Sequence, residues 1–267
     1  MSIVKMGWIA EVKPAIGMVH LPALPGSPGC VETLAQSITR ALRDAEALID
    51  GGMDGLMIEN FGDTPFFPSQ VPPVTIAAMT ATAAEIRRRF SVPLGINVLR
   101  NDAHAALAVA LASGANFIRV NVLCGARVTD QGIVQGPAHT LLRERRALAA
   151  DDVQIWADVQ VKHSSPISPR PLAEEVVDTI ERGQADAVIV SGSATGRAVD
   201  PEHLSAVKQS AGDTPVVVGS GISVESLPRC VSLADGFIVG TSLKHGGQAN
   251  APVDVQRVKD FVNALRN

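Results

Sequence analysis

Tyrosine is absent from this 267-residue chain, and seven phenylalanines with two tryptophans bring the aromatic share to only 3 %. So few rings leave little on which single-stranded bases could stack. Basic tracts are missing as well. The 23 Lys and Arg stand against 27 Asp and Glu, for a formal net charge of −4, which argues against nucleic acid as the main partner. The three cysteines, Cys30, Cys124 and Cys230, are far apart and odd in number. They give neither a disulfide framework nor a zinc spacing, and they fit a reducing cytoplasm. No apolar run is long enough to span a bilayer, and the opening MSIVKMGW lacks the apolar stretch of a secretory signal. What remains is a cytoplasmic protein, 46 % apolar and 19 % charged, able to bury a large core. Nothing in the composition opposes assembly into a homo-oligomer.

Short apolar, β-branched runs alternate with helix-length segments throughout the chain. The runs cover residues 15–21, 55–60, 93–99, 117–122, 154–161, 187–191, 215–218 and 236–239; amphipathic segments at 31–50, 74–90, 103–113, 139–150, 172–182, 201–210 and 253–265 read as helices. Such alternation gives a parallel sheet, and about eight units predict one (β/α)8 barrel domain over residues 1–267, with an open doubly wound sheet as the runner-up. Links from helix to strand are short. Links from strand to helix are long and polar, notably 61–73, 123–136 and 162–171, as expected if the C-terminal face of a barrel carries the site.

Two of the runs, PVVVGSGI at 215–222 and GFIVGTSL at 236–243, end in Gly with Ser or Thr. Bare N–H groups at Gly219, Ser220, Gly221, Gly240, Thr241 and Ser242, next to helix N-termini, would suit a phosphate monoester after the seventh and eighth strands. In the other strands the period of two separates an aliphatic face from a polar one. Glu59, Asn97, Arg119, Asn121, Asp158 and Ser191 fall on the second face, with His20 in the equivalent place on the first strand. They predict a polar ring at the barrel mouth, Arg119 lying one layer deeper and able to neutralise Glu59 or Asp158. Glu59 and Asp158 could divide acid and base roles. Lys162 could serve as a Schiff-base nucleophile or as a clamp on an oxyanion, and His163 could transfer protons. The loop from Ser191 and Gly192 to Arg197 could close over a substrate, and Asp130, in TDQG at 129–132, could reach the site from a lid. No cofactor is specified. His20, Glu59, Asp158 and His163 could hold a divalent ion, but their scatter gives no ligand-spacing signature.

Taken together, GMVHLPALPGSP at 17–28, DGLMIENFGD at 54–63, GINVLRND at 95–102, FIRVNV at 117–122, TDQG at 129–132, DVQVKH at 158–163 and VSGS at 190–193, with the two glycine loops, resemble the BtpA/SgcQ family along almost the entire chain. At Leu123-Cys124 the sequence departs from the more polar pair expected of that family. The resemblance implies a ribulose-phosphate-binding type of barrel. It also implies several kinds of function. One member is linked to photosystem I biogenesis as a factor at the membrane surface, and others accompany sugar uptake and sugar-phosphate metabolism or carry a nucleotide-hydrolysis label. The leading expectation is an enzyme acting on a phosphorylated sugar or nucleoside-like metabolite, by isomerase, lyase or glycosidic hydrolase chemistry. The alternatives are a non-catalytic assembly factor and a module that binds a sugar phosphate or nucleotide without turnover.

Overall fold

A computed structural model describes residues 13–192 and 199–267. Eight parallel strands close into a barrel: β1 (Ala15–His20), β2 (Gly55–Glu59), β3 (Leu94–Asn97), β4 (Phe117–Val120), β7 (Gln154–Val159), β9 (Ala187–Val190), β10 (Val216–Val218) and β11 (Gly236–Val239). Around the barrel the order is β1-β11-β10-β9-β7-β4-β3-β2. The pairing of Ile16 with Ile238 closes the sheet and removes the doubly wound alternative. The strands stop up to two residues short of the apolar runs at the mouth, where the backbone leaves the ladder to form loops.

Helices Leu34–Asp50, Pro73–Arg89, Ala103–Ser113, Ala138–Ala147, Leu172–Val177, Pro201–Ala211 and Val255–Arg266 surround the barrel, the fifth continuing as a π-helical turn over Asp178–Arg182. Local chemistry sets their ends. Thr33 and Gln36 form a reciprocal cap on the first helix. Asp102 accepts from the Ala105 N–H at 2.9 Å to start the third, and Gly114, at φ 72°, ends it in the left-handed conformation that a side chain would disfavour. No α-helix lies between β10 and β11. Only a 3₁₀ turn, Leu227–Arg229, fills that place, and β11 leads into another at Thr241–Leu243. The helix N-termini expected beside the glycine loops are therefore reduced to short 3₁₀ turns.

Two long loops also differ from expectation. The segment after β4 folds into a hairpin, β5 (Ala126–Thr129) with β6 (Gly132–Gln135), and the segment after β7 adds β8 (Ser164–Pro166) against β5. This small antiparallel sheet ties the two loops together across the rim. Its buried Val134 packs with Val122 and Val161.

The strand alternation holds in three dimensions. Leu56, Ile58, Ile96, Ile118, Val120, Ile155, Ala157, Val159, Val188 and Val190 belong to the cluster packed under the helices. A second cluster fills the barrel itself and includes Ile16, Met57, Phe117, Trp156, Ile189, Val217 and Ile238. Phe117 and Trp156 stack there with ring centroids 4.1 Å apart. Gly95 makes room for them, because a Cβ at that position would lie 2.3 Å from the Phe117 ring.

Candidate active site

Above the aromatic layer the barrel opens into a cavity of about 640 Å³, within the roughly 300–1,000 Å³ of small-molecule sites. His20, Glu59, Arg119 and Asn121 line it from the strands, and Asp130, Lys162 and His163 from the loops. Residues 219–221 and 240–242 form another part of its wall. Asn97, Asp158, Ser191 and Gly192 do not reach the cavity surface. The rest of the 191–197 loop lies outside the described residues.

Asp158 stands behind the wall. Arg119 begins a layer lower, in register with Trp156, and its Nε and Nη2 donate to the two Asp158 carboxylate oxygens at 2.9 and 2.8 Å. Asn121 Nδ2 donates to Asp158 at 2.8 Å, and the Ser191 hydroxyl at 3.2 Å. The Asp158 side chain is fully shielded. A carboxylate so engaged orients Arg119 and Asn121 from behind the wall. Asn97 donates to the Arg119 carbonyl at 3.0 Å and to Asn121 Oδ1 at 3.3 Å.

Glu59 has a different environment. Burial pushes its carboxyl pKa upward, opposed by the charges of Arg119 and Lys162. His20 lies beside it, 3.8 Å from Nε2 to Oε1. Burial and then the Lys244 charge hold the imidazole at a pKa of about 3. The His20 ring stacks on Phe61 at 4.6 Å. Lys244 is itself buried and pairs with Asp44 at 3.1 Å. Lys162 is part-buried, and desolvation lowers its pKa. His163 is exposed on the rim, where burial and the Lys162 charge depress its pKa.

The glycine loops supply donors. The Gly219 N–H is not one of them, since it donates to the Val190 carbonyl at 2.8 Å and extends the ladder. The N–H groups of Ser220, Gly221, Ile222, Gly240, Thr241 and Ser242 have no protein acceptor among the described residues. Gly219 and Gly240 matter for space. A Cβ on Gly219 would strike Ile189 at 2.3 Å, and one on Gly240 would crowd the His20 ring at 3.0 Å.

Loop side chains brace the mouth. Asn60 accepts from the Leu99 N–H at 2.7 Å, Asn101 from the Val122 N–H at 2.8 Å, and Asp63 from the Leu24 N–H at 2.7 Å. Each side chain satisfies the backbone of a neighbouring loop, which holds the rim in place. Arg100, Phe61, Phe66, Leu99 and Ile222 also line the cavity. Sequence reasoning left them out because they lie beyond the strand ends, where a period of two no longer fixes direction. The FGD and RND stretches that follow β2 and β3 were the available signal. Among the described residues no three of His, Cys, Asp and Glu converge as a metal-binding group.

The BtpA family model matches residues 11–267. The chain belongs to the BtpA family. It is 47 % identical to the photosystem I biogenesis protein BtpA of Synechocystis over 94 % of this chain and 88 % of that one. It is also 47 % identical to an uncharacterized protein of Thermococcus kodakarensis, over 96 % of both chains. Among solved structures the fold is similar to N-(5'-phosphoribosyl)anthranilate isomerase from Pyrococcus furiosus, with a TM-score of 0.59, 15 % identity, and coverage of 95 % of this chain and 98 % of that one. KGPDC from Streptococcus mutans is similar too, with a TM-score of 0.57, 12 % identity, and 96 % and 98 % coverage. This BtpA family member thus has the (β/α)8 barrel fold that these structures share. No helix among its described residues is long and apolar enough to cross a membrane.

Proposed function

We propose that this protein is an enzyme acting on a phosphorylated sugar or nucleoside-like metabolite. The observation that carries the reading is one cavity in which unpaired backbone N–H groups of residues 220–222 and 240–242 face the same space as the buried His20–Glu59 pair. The N–H groups and the hydroxyls of Ser220 and Thr241 would receive the phosphate. Glu59, drawn toward its protonated form, would act as the acid–base group, with His20 neutral beside it. Asn121 and the Asp158-oriented Arg119 would hold hydroxyl or carbonyl oxygens. Fold neighbours named for phosphorylated substrates are in keeping with this reading, which rests on the site.

Thermal-shift titration against inorganic phosphate, sugar phosphates and nucleotides tests the phosphate assignment. A binder raises Tm by mass action, and Thr241→Asp, which places a negative charge in the cradle, should abolish the shift while the apo melting temperature stays within a few degrees. No shift with any phosphate compound would overturn the assignment. The name of the Synechocystis relative favours a second reading, an assembly factor. On that reading Glu59→Gln would spare complementation in cells, whereas the enzyme reading requires its loss.

A further inference from the structure

The cavity carries positive charge that its described neighbours leave unmatched. Arg119 is neutralised by Asp158, but Arg100 and Lys162 are not neutralised in this way. Arg100 is only 6 % exposed. Its Nη2 donates to the Lys162 carbonyl at 2.7 Å, and among the described residues no carboxylate is at ion-pair distance from its guanidinium. Lys162 forms no ion pair among the described residues either. Three acids act on them: Asp158, already bound by Arg119 behind the wall, and Glu59 and Asp130 on the cavity wall itself. Burial works against ionisation of Glu59, and Asp130 accepts from the Gln131 amide at 2.5 Å. Burying cations without partners is costly, and burial lowers the pKa values of both Arg100 and Lys162. Such groups gain most from an anion that enters the cavity and shares their desolvated surroundings.

Barrel order fixes where that anion would sit. β3, which delivers Arg100, lies four strands from β10 in the ring of eight and therefore opposite it. Residues 220–222 follow β10. Of the two equal arcs from β3 to β10, the one through β11 runs β3-β2-β1-β11-β10, so Glu59 on β2 and His20 on β1 stand between the two poles on that side. We infer that the ligand carries two anionic groups, a phosphate on residues 220–222 and 240–242 and a second anion, carboxylate or phosphate, on Arg100 and Lys162. Its reacting centre then falls beside His20 and Glu59. This inference rests on the phosphate reading of the glycine loops. It narrows the substrate class to sugar bisphosphates and phosphorylated sugar acids, and it makes Arg100 and Lys162 the specificity-determining pair.

Matched ligands test it by calorimetric titration. Glucose 6-phosphate against 6-phosphogluconate adds a carboxylate; fructose 6-phosphate against fructose 1,6-bisphosphate adds a phosphate; inorganic phosphate reports the glycine loops alone. At least one doubly anionic member should bind about tenfold or more tightly than its partner, and the pair that shows the ratio identifies the second anion. Lys162→Met should erase the ratio and leave the affinities for inorganic phosphate and for the members with a single anionic group unchanged. Arg100→Gln should do the same; if it fails to fold by circular dichroism, Lys162→Met carries the test alone. Equal affinities within both pairs, or a ratio that survives Lys162→Met, would overturn the two-anion ligand while leaving the phosphate site standing. Failure of all five ligands to bind would overturn the phosphate reading, and this inference with it.

Discussion

His20 and Glu59 approach to 3.8 Å, Nε2 to Oε1, with each side chain only 9 % exposed. Burial and then the Lys244 charge drive the His20 pKa down to about 3, while burial drives that of Glu59 up. At neutral pH the imidazole is uncharged and the carboxyl is biased toward its acid form. The contact therefore sets a neutral ring beside a carboxyl drawn toward its acid form, unlike the Arg119–Asp158 pair on β4 and β7, which is held by two hydrogen bonds of 2.9 and 2.8 Å.

Glu59→Gln separates chemistry from stability. Because the folded state raises the Glu59 pKa, its contribution to stability is present below the unfolded pKa and fades as pH rises through the folded one. Gln keeps the neutral form at every pH. The variant should lose turnover by about 10²-fold or more, yet its melting temperature relative to wild type should improve from pH 5 to pH 8. Melts at both pH values read this directly, and a constant difference would show that Glu59 is not held toward its acid form.

His20 gives the opposite pH signature. Its folded pKa is depressed from 6.5 to about 3, so its contribution is intact above the unfolded pKa and is lost as pH falls across that window. Near pH 5.5 the loss should approach about 1.4 kcal/mol. Urea unfolding of wild type and His20→Asn at pH 7.0 and 5.5 checks it. The variant, which also loses the stack on Phe61, should be weaker at both values but should show the smaller drop between them.

Arg119→Met should be among the most damaging substitutions. Among the described residues it leaves a fully shielded Asp158 carboxylate with Asn121 and Ser191 as its remaining side-chain donors. Breaking one side of a buried pair costs roughly 3–5 kcal/mol, readable by urea denaturation. Arg119→Lys should recover only part of it, because an ammonium cannot reproduce the two-point contact.

Gly95→Ala should cost about 1–3 kcal/mol through overpacking, since the added Cβ meets the Phe117 ring at 2.3 Å. Phe117→Leu in the same chain should return part of the loss. Additive effects in the double-mutant cycle would mean that the two positions do not share the strain.

Much of this arrangement was legible from a period of two. Alternation along short β-branched runs put Glu59, Asn97, Arg119, Asn121 and Asp158 on the inner face, because a strand surrounded by helices leaves its outer positions no choice but to be aliphatic. Pairing within the ring was not legible. Arg119 could have neutralised Glu59 or Asp158, and its two hydrogen bonds to the Asp158 carboxylate decide for Asp158. The hairpin of β5 and β6 was hidden because four-residue strands with polar ends look like loop. Arg100 was visible only as a charge just beyond a strand end, because nothing in a strand pattern aims a residue three places past Asn97. The loop after β10 was expected to open a helix, yet the chain makes only a 3₁₀ turn there, so the donors in that loop come from backbone that leaves the ladder after Gly219.

The stacked Phe117 and Trp156, with Met57 and Ile189 around them, make the barrel a vessel sealed at its base. Water and hydronium reach His20 and Glu59 from above, through the volume that a ligand would occupy. An occupant is therefore also a stopper. If the protein is the proposed enzyme and its reaction moves a proton through Glu59, that proton would have few solvent protons to mix with before it is returned, so turnover in deuterium oxide should yield product labelled to less than one atom at the transferred position.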